Sequence, residues 1–328
     1  MRIAIDAMGG DYAPGEIILG ALQALEEDSG LRLVLVGKES EMRACLPPKY
    51  PTDRVDLLHC QEIIAMDEHP ATAYRRKKDA SITVATRLVK EKRADAVVSA
   101  GSTGAQMVAA LFGLGRIKGV DRPAIVTVLP TLQGPKLLLD AGANADCKPE
   151  NLLQFAQMGM IYAEKILGLL KPKISLVNIG EEPTKGNELS IKTYDILHNR
   201  KELNFIGNIE GRNILSGKAD VMVCDGFVGN TVLKVIEGTA AMLTAILKEE
   251  LQKSVRSKAG ALLLKPGLKA FKARMDYAEY GGAPLLGVNG ISIICHGSSK
   301  ALAVKNAVRV ATECVRSDFV RFIEDQVK

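Results

Sequence analysis

Ala94-Asp95-Ala96-Val97-Val98-Ser99-Ala100-Gly101-Ser102-Thr103-Gly104-Ala105 holds one structural unit in compressed form. Its first half is a short run that is apolar on both faces, which reads as a strand covered on both sides in a parallel sheet. The run stops at a polar, glycine-bearing turn and continues into an apolar helical segment, Gln106–Leu114. The same grammar extends outward in both directions. Strands are predicted at Ile3–Ile5, Arg32–Val36, Val55–His59, Ala94–Ser99, Ala124–Val128, Lys136–Leu139, Ile174–Asn178, Phe205–Ile209, Asp220–Cys224 and Ile291–Cys295. Helices are predicted at Gly15–Asp28, Ile82–Lys92, Gln106–Leu114, Pro149–Leu169, Thr231–Leu251 and Lys300–Asp325. Strands alternating with longer helices predict an α/β fold with right-handed crossovers. No internal repeat or linker divides the 328 residues, so residues 1–328 read as one α/β catalytic unit of one or two lobes.

Composition narrows the function classes. Apolar residues are 47% and charged residues 25%, ordinary for a globular chain. Aromatics are 4% and Trp is absent, which argues against stacking on nucleic acid. The longest uncharged apolar stretch, about Gly104–Gly115, is shorter than a membrane span, and the N-terminus enters a strand without a signal peptide. The six cysteines are scattered without a C-x-x-C pair, which predicts reduced thiols in a cytosolic protein. None of the four histidines has zinc spacing with another His or with Cys, so no structural zinc site is expected. The net charge of +5 is local. From Leu251 to Met275 there are seven cations and no acid, leaving the rest of the chain slightly acidic. This segment holds Leu262, Leu263 and Leu264 and a Pro266-Gly267 break, and it follows an amphipathic helix. Residues 231–276 are therefore expected to protrude as two helices joined by an apolar tip flanked by cations.

Chemistry is expected where strands end. Six turns are rich in Gly, Ser, Thr, Asn and Asp: 6–11, 99–104, 140–144, 178–182, 225–230 and 296–299. Ligands of open α/β sheets bind beyond the carboxyl ends of the strands, so six such turns form a candidate rim. Ser102-Thr103-Gly104 leads into a helix and suits an anion such as phosphate, although Ser or Thr there can simply cap the helix. Ser298-Ser299 after Gly297 repeats the arrangement. Lys185, beside Gly186, could neutralise phosphate or polarise a carbonyl; the plain alternative is a loop lysine paired with Glu181 or Glu182. Asn230 offers an amide to a developing oxyanion or a cap to its helix. His296 borders the last turn as an acid, a base or a structural residue. There is no P-loop, no dinucleotide fingerprint and no G-x-S-x-G elbow.

Taken in order, Ile5-Asp6-Ala7-Met8-Gly9-Gly10-Asp11, Ser99-Ala100-Gly101-Ser102-Thr103-Gly104-Ala105, Asp140-Ala141-Gly142-Ala143-Asn144, Asn178-Ile179-Gly180-Glu181-Glu182, Asp225-Gly226-Phe227-Val228-Gly229-Asn230, Glu279-Tyr280-Gly281-Gly282-Ala283-Pro284 and His296-Gly297-Ser298-Ser299 resemble the bacterial phosphate acyltransferase family of phospholipid synthesis. The resemblance spans nearly the whole chain. It implies attack of inorganic phosphate on a long-chain acyl thioester of acyl carrier protein, giving acyl-phosphate and free carrier. A membrane acyltransferase would then pass the acyl group to glycerol 3-phosphate. It also implies a homodimer without metal or organic cofactor. The implied fold is a three-layer α/β/α, largely parallel sheet with a second lobe, similar to phosphotransacetylase and the isocitrate/isopropylmalate dehydrogenases.

On that reading Ser102, Thr103, Ser298 and Ser299 cradle phosphate, with Asp6, Gly9, Gly10, Gly104, Asn144, Glu181 and His296 on the same rim. Lys185 and Asn230 stabilise charge at the reacting carbonyl, and Asp225 orients a neighbour such as Lys185. Leu262, Leu263, Leu264, Lys258, Lys265, Lys269 and Lys272 are expected to meet an anionic membrane surface or the acidic carrier, placing a cytoplasmic protein peripherally on the membrane. The competing reading of this segment is a helix pair in a dimer interface. Competing functions are an NAD(P)-dependent dehydrogenase of the same fold, a non-catalytic lipid-synthesis scaffold, and a hydrolase using Ser298 with His296.

Overall fold

The structure is a computed structural model describing residues 1–275 and 280–327, with side chains described except at 270 and 272–275. Its first sheet begins with β1 (Arg2–Asp6), β2 (Arg32–Gly37), β3 (Val55–His59), β4 (Ala96–Ser99) and β5 (Ala124–Ile125). The chain then builds a second sheet from β6 (Thr127–Thr131), β7 (Gly134–Leu139), β8 (Ile174–Asn178), β9 (Phe205–Glu210) and β10 (Val221–Val223). It returns with β11 (Ala283–Leu286) and β12 (Ile291–Ile294) to complete the first. The strand orders are β3-β2-β1-β4-β12-β11-β5 and β6-β7-β10-β8-β9. Pairing is parallel except for β11, antiparallel to both neighbours, and the β6–β7 hairpin.

The helices are α1 (Gly15–Glu27), α2 (Glu39–Cys45), α3 (Pro70–Arg76), α4 (Ser81–Lys90), α5 (Thr103–Ala109, continued by a π-helical turn over Ala110–Leu114), α6 (Pro149–Lys165), α7 (Glu188–His198), α8 (Gly226–Gln252), α9 (Val255–Met275), α10 (Ala301–Arg316) and α11 (Phe319–Gln326). They cover both faces of the sheets. Along β1, Ile3 and Ile5 enter one hydrophobic cluster with α1 and α10, while Ala4 enters another with α4 and α5. Alternate residues of a strand point to opposite faces, so a strand apolar at every position is buried on both. The first cluster runs on without interruption into Leu137, Leu139 and Phe155 of the second sheet's layer. Tyr162 of α6 meets Phe319 of α11 edge to face, 6.1 Å between centroids, and ties the two layers.

Four elements depart from the sequence expectation. Ala124–Val128 is not one strand: Val126, fully buried, is where the chain passes from sheet to sheet. The glycine- and proline-bearing turn after Tyr280 becomes β11, which accepts an antiparallel pairing despite Pro284; Glu279 lies outside the described residues. The C-terminal helix is two, broken at Asp318 in the left-handed conformation (φ 51°). Helix α8 starts at Gly226, five residues before its expected start, and the protruding hairpin turns at Lys253-Ser254. Leu262–Leu264 and Pro266 thus lie inside α9 and not at a tip. The expectation of no span-length segment also needs amendment: α8 is long and apolar enough to cross a membrane by length and composition, with a mean hydropathy of 1.3 in its best window. Its first turn, however, is built into the second sheet's rim.

Candidate active site

Each sheet brings a set of parallel strand ends together. In the first sheet β1, β4 and β12 are adjacent, so their turns interlock. Asp11 N donates to the Gly297 carbonyl at 2.8 Å, and Ser99 Oγ donates to Asp6 Oδ2 at 2.6 Å. Gly9 sits so close to Gly101 N that an added Cβ would lie 2.7 Å from it; only a glycine lets these turns meet. Asp6 is 2% exposed, and burial pushes its carboxyl above the ordinary 3.8, against hydrogen bonds from Ser81, Ser99 and the Met8 and Gly9 amides. A cavity of about 10 Å³ lies beneath, lined by Asp6, Ser81, Ser99 and Ser102 together with Ile63, Ile64 and Ile82. It holds no more than one water, so a phosphate would sit outside it.

In the second sheet β7, β10 and β8 are adjacent, and their turns centre on Asp140. Its Oδ1 accepts from the amides of Ile125 (3.0 Å), Gly142 (3.1 Å) and Ala143 (2.9 Å). Its Oδ2 accepts from Asn144 N (2.7 Å) and Asn144 Nδ2 (2.8 Å). Burial nevertheless pushes the Asp140 carboxyl up. The sequence reading placed Asp140 in a turn but gave it no role; a carboxylate that orders five donors was not visible from spacing. Asn144 also donates to the Pro123 carbonyl (2.7 Å), and its own carbonyl accepts from Gly226 N (2.7 Å). Both amide hydrogens of Asn144 are spent inside the turn, so it holds the rim in shape instead of facing a ligand.

Asp225 caps α8 by accepting from Val228 N at 2.8 Å, and it makes no contact with Lys185 among the described residues. Capping is thus the contact that Asp225 makes here. Asn230 lies within the helix and is not its cap. It packs on Gly142, where an added Cβ would be 3.4 Å from Asn230 Cβ, and its amide is exposed. Lys185 is exposed, and its backbone is pinned by Asn178 Nδ2 to its carbonyl at 2.9 Å. Its ammonium makes no ion pair among the described residues; Glu181 accepts instead from Asn213 at 3.3 Å. Ser102 caps α5 (3.4 Å to Ala105 N), Thr103 is exposed, and Gly104 packs on Pro70. Gly10 has φ 111° and approaches the Gly297 carbonyl. Ser299 is buried, with its N–H bonded to the His296 carbonyl at 2.9 Å.

The two half-sites touch through α8. Lys234 Nζ is 3.3 Å from His296 Nε2, and His296 Nδ1 is 2.8 Å from Ser298 Oγ. A larger groove of about 580 Å³, lined by Arg2, Arg32, Lys92, Arg93 and Asp95, opens at the opposite, N-terminal ends of β1 and β2 and is not part of this rim.

The sequence profile of a family described as "Fatty acid synthesis protein" matches residues 1–321. A phosphate acyltransferase of Heliobacterium modesticaldum is 60% identical over 329 residues, covering 100% of this chain and 98% of its own. One of Desulfitobacterium hafniense is 61% identical over 328 residues, with the same coverage. The chain belongs to the phosphate acyltransferase family. It is thus an acyltransferase of fatty acid and phospholipid synthesis. The fold of this family member is shared with a phosphotransacetylase from Streptococcus pyogenes (TM-score 0.64, 16% identity, 96% of this chain and 94% of that one). It is also similar to a 4-hydroxythreonine-4-phosphate dehydrogenase from Klebsiella pneumoniae (TM-score 0.51, 13% identity, 96% and 98%). Both likenesses bear out the expected α/β fold class.

Proposed function

We propose that this acyltransferase joins inorganic phosphate to the acyl group of a long-chain acyl-[acyl carrier protein], releasing acyl-phosphate and the carrier thiol. The observation that carries the proposal is the pair of polar rims joined by the Lys234–His296 contact, with a Lys185 ammonium that makes no ion pair among the described residues on one of them. Phosphate is itself a nucleophile, so the protein has only to hold it in line with a thioester and stabilise the oxyanion. Ser102, Thr103, Ser298, the Gly9-Gly10 turn and His296 form the phosphate side, with Ser299 supporting the turn from below. Lys185 and Asn230 form the carbonyl side. A phosphate oxygen attacks the thioester carbon and the carbonyl electrons move onto oxygen; as that pair re-forms the carbonyl of the acyl-phosphate, the C–S bond breaks and its electrons leave with the carrier thiolate. Ile179 (82% exposed) and Phe227 (70%) follow the paired strands β8 and β10 and offer an apolar floor to the acyl chain.

A covalent route has poor support. Burial pushes the thiols of Cys60, Cys147, Cys295 and Cys314 up to about 12, far from nucleophilic thiolates. Ser298 with His296 has the spacing of a nucleophile and base, but the chain has no G-x-S-x-G elbow to present the serine.

The carrier, a small acidic protein, fits the cations of α9, and the acyl-phosphate product is suited to delivery at a membrane. Leu262, Leu263 and Leu264 are 71%, 83% and 58% exposed beside exposed Lys258, Lys265 and Lys269; the side chain of Lys272 lies outside the described residues. The reading is of a cytoplasmic protein touching the anionic membrane through α9, near the enzyme that acylates glycerol 3-phosphate. The exposed Met242, Leu243 and Ile246 of α8 favour a homodimer.

The test is release of carrier thiol from palmitoyl-[acyl carrier protein], with and without phosphate, trapping acyl-phosphate with hydroxylamine. Phosphate-dependent release with a trapped hydroxamate is expected. Release that ignores phosphate would establish a thioesterase, and no release from the folded protein would overturn the proposal.

A further inference from the structure

Arg75-Arg76-Lys77-Lys78 is the longest unbroken run of cations in the chain, and no step of the reaction uses it. We infer that the end of α3, with the aromatic pair Tyr74 and Phe112 beside it, is the surface on which the acidic carrier protein docks to present its thioester to the rim. This rests on the carrier-dependent reading above.

Pro70 opens α3 and packs on the phosphate side, where a Cβ added at Gly104 would lie 2.6 Å from Pro70 Cγ. Met66, in the loop before α3, abuts the last turn of the rim: a Cβ at Gly297 would lie 2.9 Å from Met66 Cε. Arg75 and Arg76 close the same helix, about 9 Å further along its axis at about 1.5 Å per residue. A protein held there delivers its thioester to the rim without crossing the molecule. Lys77 is spent within the fold, bonded to Glu68 (2.6 Å) and to the Ile63 carbonyl (2.7 Å). The carboxylates of Asp79 and Glu62 accept from the amides of Gln61 (2.7 Å) and Asp79 (3.1 Å). Arg75, Arg76 and Lys78 are exposed and make no ion pair among the described residues, against Asp67 as the acid of this segment left without such a bond. Their outward charge suits long-range steering of an acidic partner. Phe112 supplies the apolar anchor. It lies in the π-helical turn after α5, is 64% exposed and stacks on Tyr74 with 6.2 Å between centroids. Lys78 Nζ lies 4.8 Å from the Tyr74 centroid, which ties the cations to the aromatic pair. An exposed aromatic among arginines has the make-up of an interface centre. The cations of α9 sit instead on the protruding arm, beside leucines that suit a bilayer.

The experiment titrates fluorescently labelled holo-acyl carrier protein with the full chain by anisotropy, and measures KM for palmitoyl-[acyl carrier protein] in the same buffers. The double variant Arg75→Glu, Arg76→Glu should weaken binding and raise this KM about tenfold or more, and the salt dependence of wild-type binding should largely disappear. KM for phosphate should not follow. Phe112→Ala should weaken binding with the salt dependence retained, since it removes the anchor and leaves the charges. A helix end favours cations, so Lys78→Glu, outside α3, supplies a second charge variant that leaves the helix end intact. No binding by the wild type, or unchanged carrier affinity in both folded charge variants, would overturn the inference. So would an affinity that responds to Lys265→Glu on α9 and not to the α3 variants. Loss of co-sedimentation with phosphatidylglycerol vesicles in the α3 variants, with carrier affinity intact, would assign the patch to a bilayer instead. Wild-type protein that binds the carrier through α3 but releases thiol without regard to phosphate would overturn the reading beneath and leave the docking surface standing.

Discussion

Lys185 combines an exposed side chain with a backbone that is tied down, an arrangement with no evident value to stability. A surface lysine outside any ion pair among the described residues contributes little to folding. An ammonium beside a developing oxyanion contributes about 3 kcal/mol to the transition state. Lys185→Ala should therefore lower kcat by about 10²- to 10³-fold at an unchanged Tm. Near-normal turnover of the folded variant would remove Lys185 from the chemistry. Asp140 is the opposite case, fully buried and fully committed. Asp140→Asn turns an NH₂ toward amides that need an acceptor. With about 1–3 kcal/mol per buried group left unpaired, a loss of about 3 kcal/mol in denaturant unfolding is expected, and unchanged stability would contradict the hub. Asp6 adds a pH signature. Its carboxyl is raised above 3.8 by burial, so between those values the folded chain binds more protons than the unfolded one. Stability from this group is greatest below 3.8 and falls as pH rises through the raised value. Asp6→Asn should flatten that part of the unfolding profile, and an undiminished slope would assign it to other groups.

The start of α8 shows what elements add to residues. Asp225-Gly226-Phe227-Val228-Gly229-Asn230 reads locally as a turn because two glycines in six residues weaken a helix. In the fold it is the first turn of the longest helix, and the glycines serve packing. A Cβ at Gly229 would overlap the Asp140 carbonyl, and one at Gly226 would lie 2.8 Å from Asn144 N. Gly229→Ala, which helix propensity alone favours, should instead destabilise by about 2 kcal/mol or more and displace Asn230. A stabilised variant with normal turnover would show that the approach is not needed. The polar turns themselves were legible because Gly, Ser and Asp act through local backbone preferences. So were the strands of both sheets, because apolar runs buried on both faces carry their own signature. What stayed hidden depends on a partner distant in sequence: the switch at Val126, β11 through Pro284, the capping by Asp225, and Lys234 reaching His296.

At the scale of the molecule, the chain leaves its first sheet, builds the second, extends α8 and α9, and returns. The arm that protrudes is therefore continuous with the helix that carries Asn230 and Lys234. Whatever holds the arm is linked mechanically to the site. Leu262, Leu263 and Leu264 are consecutive, so at about 100° per residue they span roughly 200° of the helix surface. A single partner helix covers a stripe of about 100°, so docking on another protein helix would leave part of this surface in water. An apolar medium has no such restriction. Immersion of α9 in the boundary of a bilayer covers all three leucines, while Lys258, Lys265 and Lys269 can reach the headgroups. Each leucine then contributes up to about 2 kcal/mol and each cation about 1 kcal/mol. Leu263 is 83% exposed in the free chain, so Leu263→Glu should leave Tm unchanged. Co-sedimentation with phosphatidylglycerol vesicles should fall at least tenfold, and the remainder should vanish at high salt as the cations are screened. Binding that ignores both the substitution and the salt would place α9 in a protein interface, and sedimentation equilibrium of the same variant would then show the dimer weakened instead.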